Sequence, residues 1–405
     1  MNNIAGCDIK ELASNYGTPL YVYDKTKIMD NYNRLNNTFT KYYPNTKIHF
    51  SVKANSNLNI LKLFRELGTG ADCSSPYELK LSRLAGFDDN KILYTGNYES
   101  HQDLAEINSD EIKINLDDIS SFGRLKEIYT PKRISFRINP GIGRGGYEGI
   151  TTAGTDAKFG VPYEKALGAY MLAKANGIKH FGIHMMTGSN NLEPYYFAEI
   201  VEKLLMIANN IFSKIDAKPE YIDIGGGFGI PYEDEESSLD IDLTAKLISD
   251  IFIEKCEKYG FDMPELIIEP GRYLIADAGY IISTITGIKN SYRNFAGIDA
   301  GMSTLIRPAL YGAKHRISIY QKEGMKNAYN ICGQICENSD ILAKNVFLPD
   351  LEEGDLMIIK DAGAYGYVMS SNYNNRPRAA EILIEQSKPI VIRKRESFEN
   401  MLSLY

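Results

Sequence analysis

The stretch His49-Phe50-Ser51-Val52-Lys53-Ala54-Asn55-Ser56-Asn57 decides the fold that we predict for this chain. An apolar run from Ile48 to Val52 is typical of a buried strand, and it ends in a lysine followed by small and polar residues. Burial of a lysine is costly, lowers its pKa and makes its amine a nucleophile toward aldehydes. One interpretation is therefore a Schiff-base lysine. The alternative is a structural lysine whose stem is buried while its ammonium reaches water.

This strand opens a regular alternation of short apolar runs and amphipathic stretches. Further strand-like runs lie at residues 71–74, 92–94, 112–116, 134–138, 180–185, 221–224 and 266–268. Stretches with helical periodicity separate them, for example 77–85 and 243–259. Eight strands alternating with helices predict a parallel sheet closed as a (β/α)8 TIM barrel. An open doubly wound sheet is the alternative, but eight units in a row favour the barrel.

The alternation stops after Glu269-Pro270-Gly271-Arg272. Beyond it, β-prone runs separated by Gly and Asn turns predict a C-terminal, mostly antiparallel β domain. We expect the early run Leu20–Tyr23 to pair with this domain, because it precedes the barrel and has no partner there. The predicted domains are a cofactor-binding barrel over residues 26–271 and a β-rich domain formed by residues 1–25 and 272–405.

The composition limits the class of protein. A chain of 405 residues with 44% hydrophobic and 24% charged residues is long enough for two globular domains. The net charge of -7 argues against nucleic acid as a partner. Five scattered cysteines fit a reducing compartment. No leader peptide or membrane-spanning run is apparent, so we expect a cytoplasmic enzyme or binding protein with no membrane partner.

The loops after the barrel strands hold residues suited to chemistry, as barrel enzymes require. Gly225-Gly226-Gly227 lets successive backbone N–H groups converge on an anion, which predicts a phosphate site. It lacks the Lys-Ser/Thr that ends a nucleotide-binding loop, and a tight turn is the alternative. Glu269 ends a buried strand and needs a partner, either a protonated ring nitrogen or the adjacent Arg272.

The β-rich domain carries two further motifs. Arg307 could hold a substrate carboxylate through a bidentate pair of hydrogen bonds. Cys336 beside Glu337 could be a proton donor; the alternatives are a small core residue or a disulfide with Cys332, which the inferred compartment disfavours. The five histidines have no metal-ligand spacing, so we expect no metal, and His184 could equally be a core residue or a site residue.

Taken together, these residues resemble the alanine-racemase-like (fold type III) pyridoxal-phosphate-dependent decarboxylases. The resemblance runs from Tyr16-Gly17-Thr18-Pro19-Leu20-Tyr21 to Asn372-Tyr373-Asn374. The motifs that carry it are Val52-Lys53-Ala54-Asn55, Lys158-Phe159-Gly160, Gly225-Gly226-Gly227-Phe228-Gly229, Glu269-Pro270-Gly271-Arg272, Arg307-Pro308-Ala309-Leu310-Tyr311, Cys336-Glu337-Asn338-Ser339-Asp340 and Gly363-Ala364-Tyr365-Gly366. One such motif is weak evidence, but this many in family order is specific.

The resemblance implies pyridoxal 5'-phosphate as the cofactor, bound covalently by Lys53. Glu269 would keep the pyridine nitrogen protonated, so that the ring acts as an electron sink. The further cofactor-binding residues that it implies are Met186, Ser189, Gly226, Gly227, Gly271, Arg272 and Tyr365. The implied substrate-binding residues are Arg272, Arg307, Tyr311, Glu337 and Tyr365. Cys336 would be catalytic with Lys53, protonating the carbanion left after carbon dioxide departs.

In the family, the positions of Cys336 and Glu337 reach the active site of a neighbouring subunit, which implies a homodimer with shared active sites. The resemblance implies decarboxylation of meso-diaminopimelate to L-lysine, or of a close relative with a second carboxylate. Two arginines are more than a monocarboxylate needs, which also favours a substrate with a second carboxylate. The alternatives are another basic amino acid (ornithine, lysine or arginine) and an intermediate of secondary metabolism. An amino-acid racemase and a non-catalytic pyridoxal-phosphate-binding protein are further alternatives.

Two departures from the family pattern stand out. The family reads Gly-Leu-His-x-His-Ile-Gly-Ser after the sixth strand, where this chain reads Gly182-Ile183-His184-Met185-Met186-Thr187-Gly188-Ser189. Met186 therefore replaces the histidine that stacks on the cofactor ring; its sulfur can pack on an aromatic face, but it supplies neither a proton nor a cation. The second departure is Ser75-Pro76-Tyr77-Glu78, in place of a Ser-Gly-Gly-Glu turn.

Overall fold

The structure is a computed structural model that describes residues 1–146, 148–403 and 405. The chain divides into two compact units. The barrel unit comprises Tyr32–Ile230 and Ser237–Gly271, and the β unit comprises Met1–Asn31, Pro231–Glu236 and Arg272–Tyr405. Residues 26–31 and 231–236, which the sequence analysis assigned to the barrel, group with the β unit.

Eight parallel strands form a closed barrel. The prediction of a (β/α)8 barrel is confirmed, and the open-sheet alternative is wrong, because the last strand pairs in parallel with the first and closes the sheet. Its strands are Thr46–Ser51, Gly70–Cys73, Ile92–Tyr94, Lys113–Leu116, Arg133–Phe136, His180–His184, Pro219–Asp223 and Glu265–Ile268. A short parallel pair, Ile138–Asn139 with Val161–Pro162, follows the fifth strand.

Helices follow the barrel strands, and local sequence signals set their ends. Asn57 and Ser75 cap two of them, each accepting a hydrogen bond from a backbone N–H of the first turn. Gly68 and Gly86 end the same helices at φ +94°, a left-handed conformation that glycine adopts without strain. These helices are Leu58–Leu67, Pro76–Ala85, His101–Ala105, Ile119–Ile128, Tyr163–Ala175, Pro194–Phe212 and Ile241–Tyr259, and Lys25–Tyr42 precedes the barrel.

The pleat of the first strand determines which of its residues face the helices. Phe50 stacks on Phe64 of the following helix, with ring centroids 3.9 Å apart. Because side chains alternate along a strand, Ser51 points to the opposite face. Its hydroxyl lies 2.9 Å from the carbonyl oxygen of Glu269 on the last strand. The first strand therefore delivers polar side chains to the inside of the barrel at the end where Lys53 follows.

The β unit contains a nine-stranded, mostly antiparallel sheet. Leu20–Asp24 pairs with Gly279–Asn290 and with Ala380–Glu385, which confirms the prediction that this early strand joins the second unit. The other strands are Asn294–Ile298, Ile317–Ile319, Asn327–Cys332, Ile341–Leu348, Leu356–Ile359 and Lys388–Arg393; Asn3–Ile4 and Cys7–Asp8 form a separate hairpin. Its helices are Ile9–Tyr16, Arg272–Ile275, Arg307–Tyr311 and Phe398–Leu402.

Two strands of the nine-stranded sheet have no clear strand signal in the sequence. Ile317–Ile319 has three residues, too few for a periodic signal. Ile341–Leu348 carries Lys344 and Asn345 at its centre, and its pairing with Asn327–Cys332 is irregular. Among the described residues, every helix is too short or too polar to cross a lipid bilayer.

Candidate active site

Lys53 lies in a short 3-10 turn that directly follows the first barrel strand. Its ammonium forms an ion pair with the carboxylate of Asp72 on the second strand. The Asp72 side chain is 1% exposed, whereas that of Lys53 is 40% exposed. Ser51 donates a further hydrogen bond to Asp72 over 3.0 Å. The amine is therefore held by a buried carboxylate while remaining accessible to a small molecule.

Glu269 directly follows the eighth strand and lies in a buried cluster of titratable side chains. Its Oε2 lies 3.5 Å from His184 Nε2, and its Oε1 has no hydrogen-bond partner among the described residues. Asp223 completes the cluster, since one donor atom from each of the three residues falls within 4.8 Å of the others. The backbone N–H of Gly225 donates to Asp223 Oδ1 over 2.8 Å.

Because the cluster is buried, its two carboxyl groups do not ionise equally. Desolvation and the neighbouring Glu269 raise the pKa of Asp223 well above its ordinary value. Desolvation also acts to raise the pKa of Glu269, but His184, Lys53 and a hydrogen bond from Asp223 outweigh it and lower that pKa. Asp223 therefore holds the proton and Glu269 stays ionised, with one unsatisfied oxygen that can accept a hydrogen bond.

The glycine loop after the seventh strand is packed too closely for side chains. Gly225 and Gly227 have φ of +70° and +94°, and a Cβ on Gly226 would lie 2.4 Å from the Glu269 carbonyl oxygen. The Gly226 N–H lies 3.2 Å from the sulfur of Met186. Met186 is thus placed beside this loop, in the position that the sequence analysis assigned to the cofactor site.

Ser189 follows the sixth strand and is partly buried. Its loop is tied to the glycine loop by the Asn191 N–H, which donates to the Gly227 carbonyl over 2.8 Å. The barrel unit therefore brings together Lys53, Met186, Ser189, Gly226, Gly227 and Glu269, all predicted from the sequence. Gly271 ends this unit, one residue before Arg272.

In the β unit, two buried arginines share one aromatic neighbour. The Arg272 guanidinium lies 5.5 Å from the Tyr232 ring centre and donates to its hydroxyl over 2.5 Å. The Arg307 guanidinium lies 4.7 Å from the same ring centre. Arg272 also lies 4.9 Å from the ring of Tyr365. The predicted residues Arg272, Arg307 and Tyr365 are thus grouped, with cation–π attraction holding both guanidinium groups.

Arg307 is 2% exposed, and His315 orients it. The Lys360 carbonyl can only accept a hydrogen bond, so His315 Nδ1, 2.9 Å away, carries the proton. His315 Nε2 is then the acceptor for the Arg307 guanidinium, also 2.9 Å away. Desolvation and the Arg307 charge lower the pKa of His315 to about 3, so the imidazole stays neutral.

The remaining predicted residues lie elsewhere in the β unit. Tyr311 ends the helix that Arg307 begins and is partly buried. Cys336 and Glu337 are exposed, on the turn between Asn327–Cys332 and Ile341–Leu348. Hydrogen bonds from Ser339 and Tyr373 lower the pKa of Glu337.

Four site residues were missed in the sequence analysis. Asp72 and Asp223 each lie in an apolar strand, where a carboxylate needs a partner. This pattern could have identified both as site residues from the sequence. Tyr232 gave no signal, because its role depends on contacts with residues distant in the sequence. His315 lies eight residues from Arg307, but only its contact with the distant Lys360 carbonyl makes Nε2 the acceptor. The clearest case is Tyr232, which lies 40 residues from Arg272.

Comparison with known proteins shows the family of this chain. Residues 28–276 match the family described as pyridoxal-dependent decarboxylase, pyridoxal binding domain. The chain belongs to the pyridoxal-dependent decarboxylases. It is therefore a pyridoxal-phosphate-dependent amino-acid decarboxylase, as the motifs predicted.

Curated and solved relatives of this decarboxylase extend over its whole length. The diaminopimelate decarboxylase of Methanothermobacter thermautotrophicus is 42% identical over 98% of this chain and 94% of its own. That of Thermoplasma acidophilum is 39% identical over 99% of this chain and 96% of its own. The crystal structure of Helicobacter pylori diaminopimelate decarboxylase complexed with L-lysine has a TM-score of 0.89 at 31% identity, covering 98% of this chain and 99% of that one.

The barrel unit of this decarboxylase fits pyridoxal 5'-phosphate. A protonated pyridine nitrogen would satisfy the unpartnered Oε1 of Glu269, and the closely packed glycine loop keeps side chains away from the surrounding space. Lys53 supplies an accessible amine for the aldehyde. The cluster of His184, Asp223 and Glu269 is also compact enough to hold a metal ion.

Proposed function

We propose that this decarboxylase converts meso-diaminopimelate to L-lysine and carbon dioxide. The observation that carries the proposal is the 42% identity to a curated diaminopimelate decarboxylase over 98% of the chain. Bound pyridoxal phosphate supplies the electron sink for the bond to the departing carboxylate. The residues of the chain hold the cofactor and the substrate and move the protons.

In the barrel unit, Lys53 attaches the cofactor and Asp72 holds the amine before attachment. Glu269 remains ionised and accepts the hydrogen bond of the ring nitrogen, because Asp223 keeps the proton that the cluster shares. Met186, whose sulfur lies 3.2 Å from the Gly226 backbone nitrogen, would pack against the ring. The proposed phosphate-binding residues are Ser189, Gly226, Gly227, Gly271, Arg272 and Tyr365.

The proposed substrate-binding residues recognise a second carboxylate and a second ammonium. Arg272, Arg307 and Tyr311 bind the distal carboxylate, and the neutral His315 holds the Arg307 guanidinium in its orientation. Glu337 binds the distal ammonium, and hydrogen bonds that lower its pKa keep it ionised. Cys336 donates the proton that replaces the lost carboxylate.

We further propose a homodimer in the cytoplasm, in which Cys336 and Glu337 of one subunit complete the active site of the other. Their exposure on the β unit supports this, since a proton donor needs protection from bulk water during the reaction.

Mixing two inactive variants tests whether the active sites are shared between subunits. Lys53→Ala and Cys336→Ala homodimers are each expected to be inactive, and random subunit exchange should restore about a quarter of wild-type activity. Permanent inactivity of a mixture with proven subunit exchange would contradict a shared site.

The substrate is tested by supplying meso-diaminopimelate, LL-diaminopimelate, lysine, ornithine and arginine to the cofactor-loaded enzyme. We expect one lysine and one carbon dioxide for each meso-diaminopimelate consumed. The kcat/KM for the three basic amino acids should be lower by at least about 100-fold, because they leave the buried arginines without a carboxylate. Preferred turnover of a substrate without a distal carboxylate would refute the assignment.

A further inference from the structure

The turn that carries Cys336, residues 333–340, is exposed but has a rigid base. The Asp340 carboxylate is 2% exposed and accepts the backbone N–H of Ile335 over 2.8 Å and of Met302 over 2.6 Å. A Cβ on Gly333 would lie 2.3 Å from an Asp340 carboxylate oxygen, so glycine is required for this close approach. The backbone of the turn is therefore held independently of its exposed side chains.

A second segment, residues 373–375, holds those side chains. The Tyr373 hydroxyl donates to Glu337 Oε2 over 2.8 Å. Asn374 contacts Cys336 twice, with its Oδ1 3.1 Å from the backbone nitrogen and its Nδ2 3.3 Å from Sγ. A backbone N–H can only donate, so it fixes Oδ1 on its own side of the amide and leaves the NH2 group facing the sulfur.

The backbone at Asn374 suits this role. Its φ is +55°, in the left-handed region that asparagine adopts more readily than most residues. Such a backbone is held only where the surrounding contacts support it. The contact with Cys336 spans 38 residues of sequence, so it is a tertiary contact and not a local turn bond.

We propose that Asn374 is a positioning residue that holds the Cys336 thiol and stabilises the thiolate formed when Cys336 gives up its proton. This inference rests on the proposed function, in which Cys336 protonates the α-carbon after carbon dioxide leaves. In that step the S–H bond breaks and a C–H bond forms with the electron pair left on the α-carbon. The electron pair of the S–H bond stays on Sγ, where the Asn374 N–H already points, so no reorganisation is needed to stabilise the charge.

Three variants of the holoenzyme test this role. Asn374→Asp is almost isosteric, keeps an oxygen for the Cys336 N–H and replaces the NH2 group by an oxygen that repels a thiolate. Asn374→Ala removes the donor without adding charge. Asn375→Asp is the matched control, because Asn375 is the next residue, is exposed, has a φ of +54° and receives the same change of charge.

The measurement is the rate of Cys336 alkylation by iodoacetamide as a function of pH, followed on the Cys336 peptide by mass spectrometry. Cys336 is the exposed thiol, whereas Cys7, Cys73 and Cys256 are buried and Cys332 is partly buried. We expect both Asn374 variants to raise the midpoint of the alkylation profile by about one pH unit, or about tenfold less thiolate at neutral pH. The midpoint of Asn375→Asp should match that of the wild type. In turnover, Asn374→Asp should lower kcat about tenfold with KM unchanged within about twofold.

Unshifted midpoints in both Asn374 variants, or an equal shift in Asn375→Asp, would overturn the inference. Alkylation is measured without turnover, so this result is independent of the substrate. A wild-type enzyme that forms no lysine from meso-diaminopimelate would refute the proposed function alone. A wild-type enzyme that forms lysine, together with unshifted midpoints, would refute the role of Asn374 alone.

Discussion

The barrel unit and the β unit hold their reactive residues in opposite ways. In the barrel unit, Asp223 and Glu269 are buried side by side. Desolvation and the neighbouring Glu269 raise the pKa of Asp223. In the β unit, Cys336 and Glu337 are exposed, and hydrogen bonds from neighbouring polar side chains lower the pKa of Glu337. One site is shaped by the removal of water, and the other by polar contacts made in its presence.

This difference separates two tasks in one reaction. A cofactor ring needs a fixed charge on its nitrogen at every turnover, and a buried carboxylate paired with a protonated neighbour provides it. In the proposed function, a proton donor must lose its proton to the substrate and regain it in each turnover, inside the site that the two subunits share. The β unit is not uniformly exposed, however, because Arg307 is as deeply buried as the barrel residues.

The largest expected effect comes from Lys53→Ala, which removes the accessible amine of the barrel unit. We expect kcat to fall by more than about 1,000-fold, because covalent attachment of the cofactor is lost. Borohydride reduction followed by peptide mass spectrometry should find the cofactor on Lys53 of the wild type and on no lysine of the variant. Lys47→Ala, a change on the strand that leads to Lys53, is the control and should keep the labelled peptide. Label on Lys53→Ala at another lysine would contradict the assignment.

A smaller loss is expected from Arg307→Lys, which tests the buried part of the β unit. A lysine keeps the charge but cannot make bidentate hydrogen bonds to a carboxylate or keep the hydrogen bond to His315 in the same geometry. We expect kcat/KM for meso-diaminopimelate to fall about 10–150-fold, mostly through KM. Arg293→Lys, at an exposed position, should leave both constants unchanged. An unchanged KM in Arg307→Lys would remove Arg307 from the substrate site.

Met186→His restores the family residue beside the glycine loop. This variant tests whether position 186 in the barrel unit affects the rate or the choice of substrate. Both side chains can pack on an aromatic face, so we expect kcat to change by less than about tenfold, with the same order of preferred substrates. The screen of amino acids described above, repeated with this variant, measures both. A changed order of substrates would mean that position 186 selects the substrate and does not merely cover the ring.

The smallest effect concerns pH and the barrel carboxylates. Burial raises the pKa of Glu78 to about 7, above its ordinary value of 4.5. The native state therefore binds a proton that the unfolded state releases, and this contribution to stability is complete below about pH 4.5 and is lost as the pH rises through 7. Glu78→Gln should raise the melting temperature by about 2 °C near pH 8.5 and by less near pH 5.

Calorimetry at the two pH values measures this difference. Glu111→Gln, a change at an exposed glutamate, is the control and should give the same small change at both. A melting-temperature difference for Glu78→Gln that stays constant with pH would show that Glu78 is not protonated in the native state.

Periodic patterns made most of the fold predictable. Each of the eight barrel strands has an apolar run, and helices of the barrel unit follow the first seven. These local patterns survive because the strands are largely buried on both faces. Ile341–Leu348 escaped prediction because exposed Lys344 and Asn345 interrupt its apolar pattern. Lys53 and Glu269 could be selected as candidate site residues from the sequence, because a charge at the end of a buried strand is costly to desolvate and needs a partner.

The sequence by itself determined the barrel, the cofactor family and the residue types available to the chemistry, because periodicity and motif order are properties of the linear chain. The tertiary structure alone decided which groups share a proton, how Tyr232 and His315 hold the two arginines, and which way the Asn374 amide points at Cys336. Those facts depend on desolvation and on distances between residues far apart in the chain. The strand that leads to Lys53 illustrates both, since its sequence predicts the reactive lysine and only the fold supplies Asp72 to hold it.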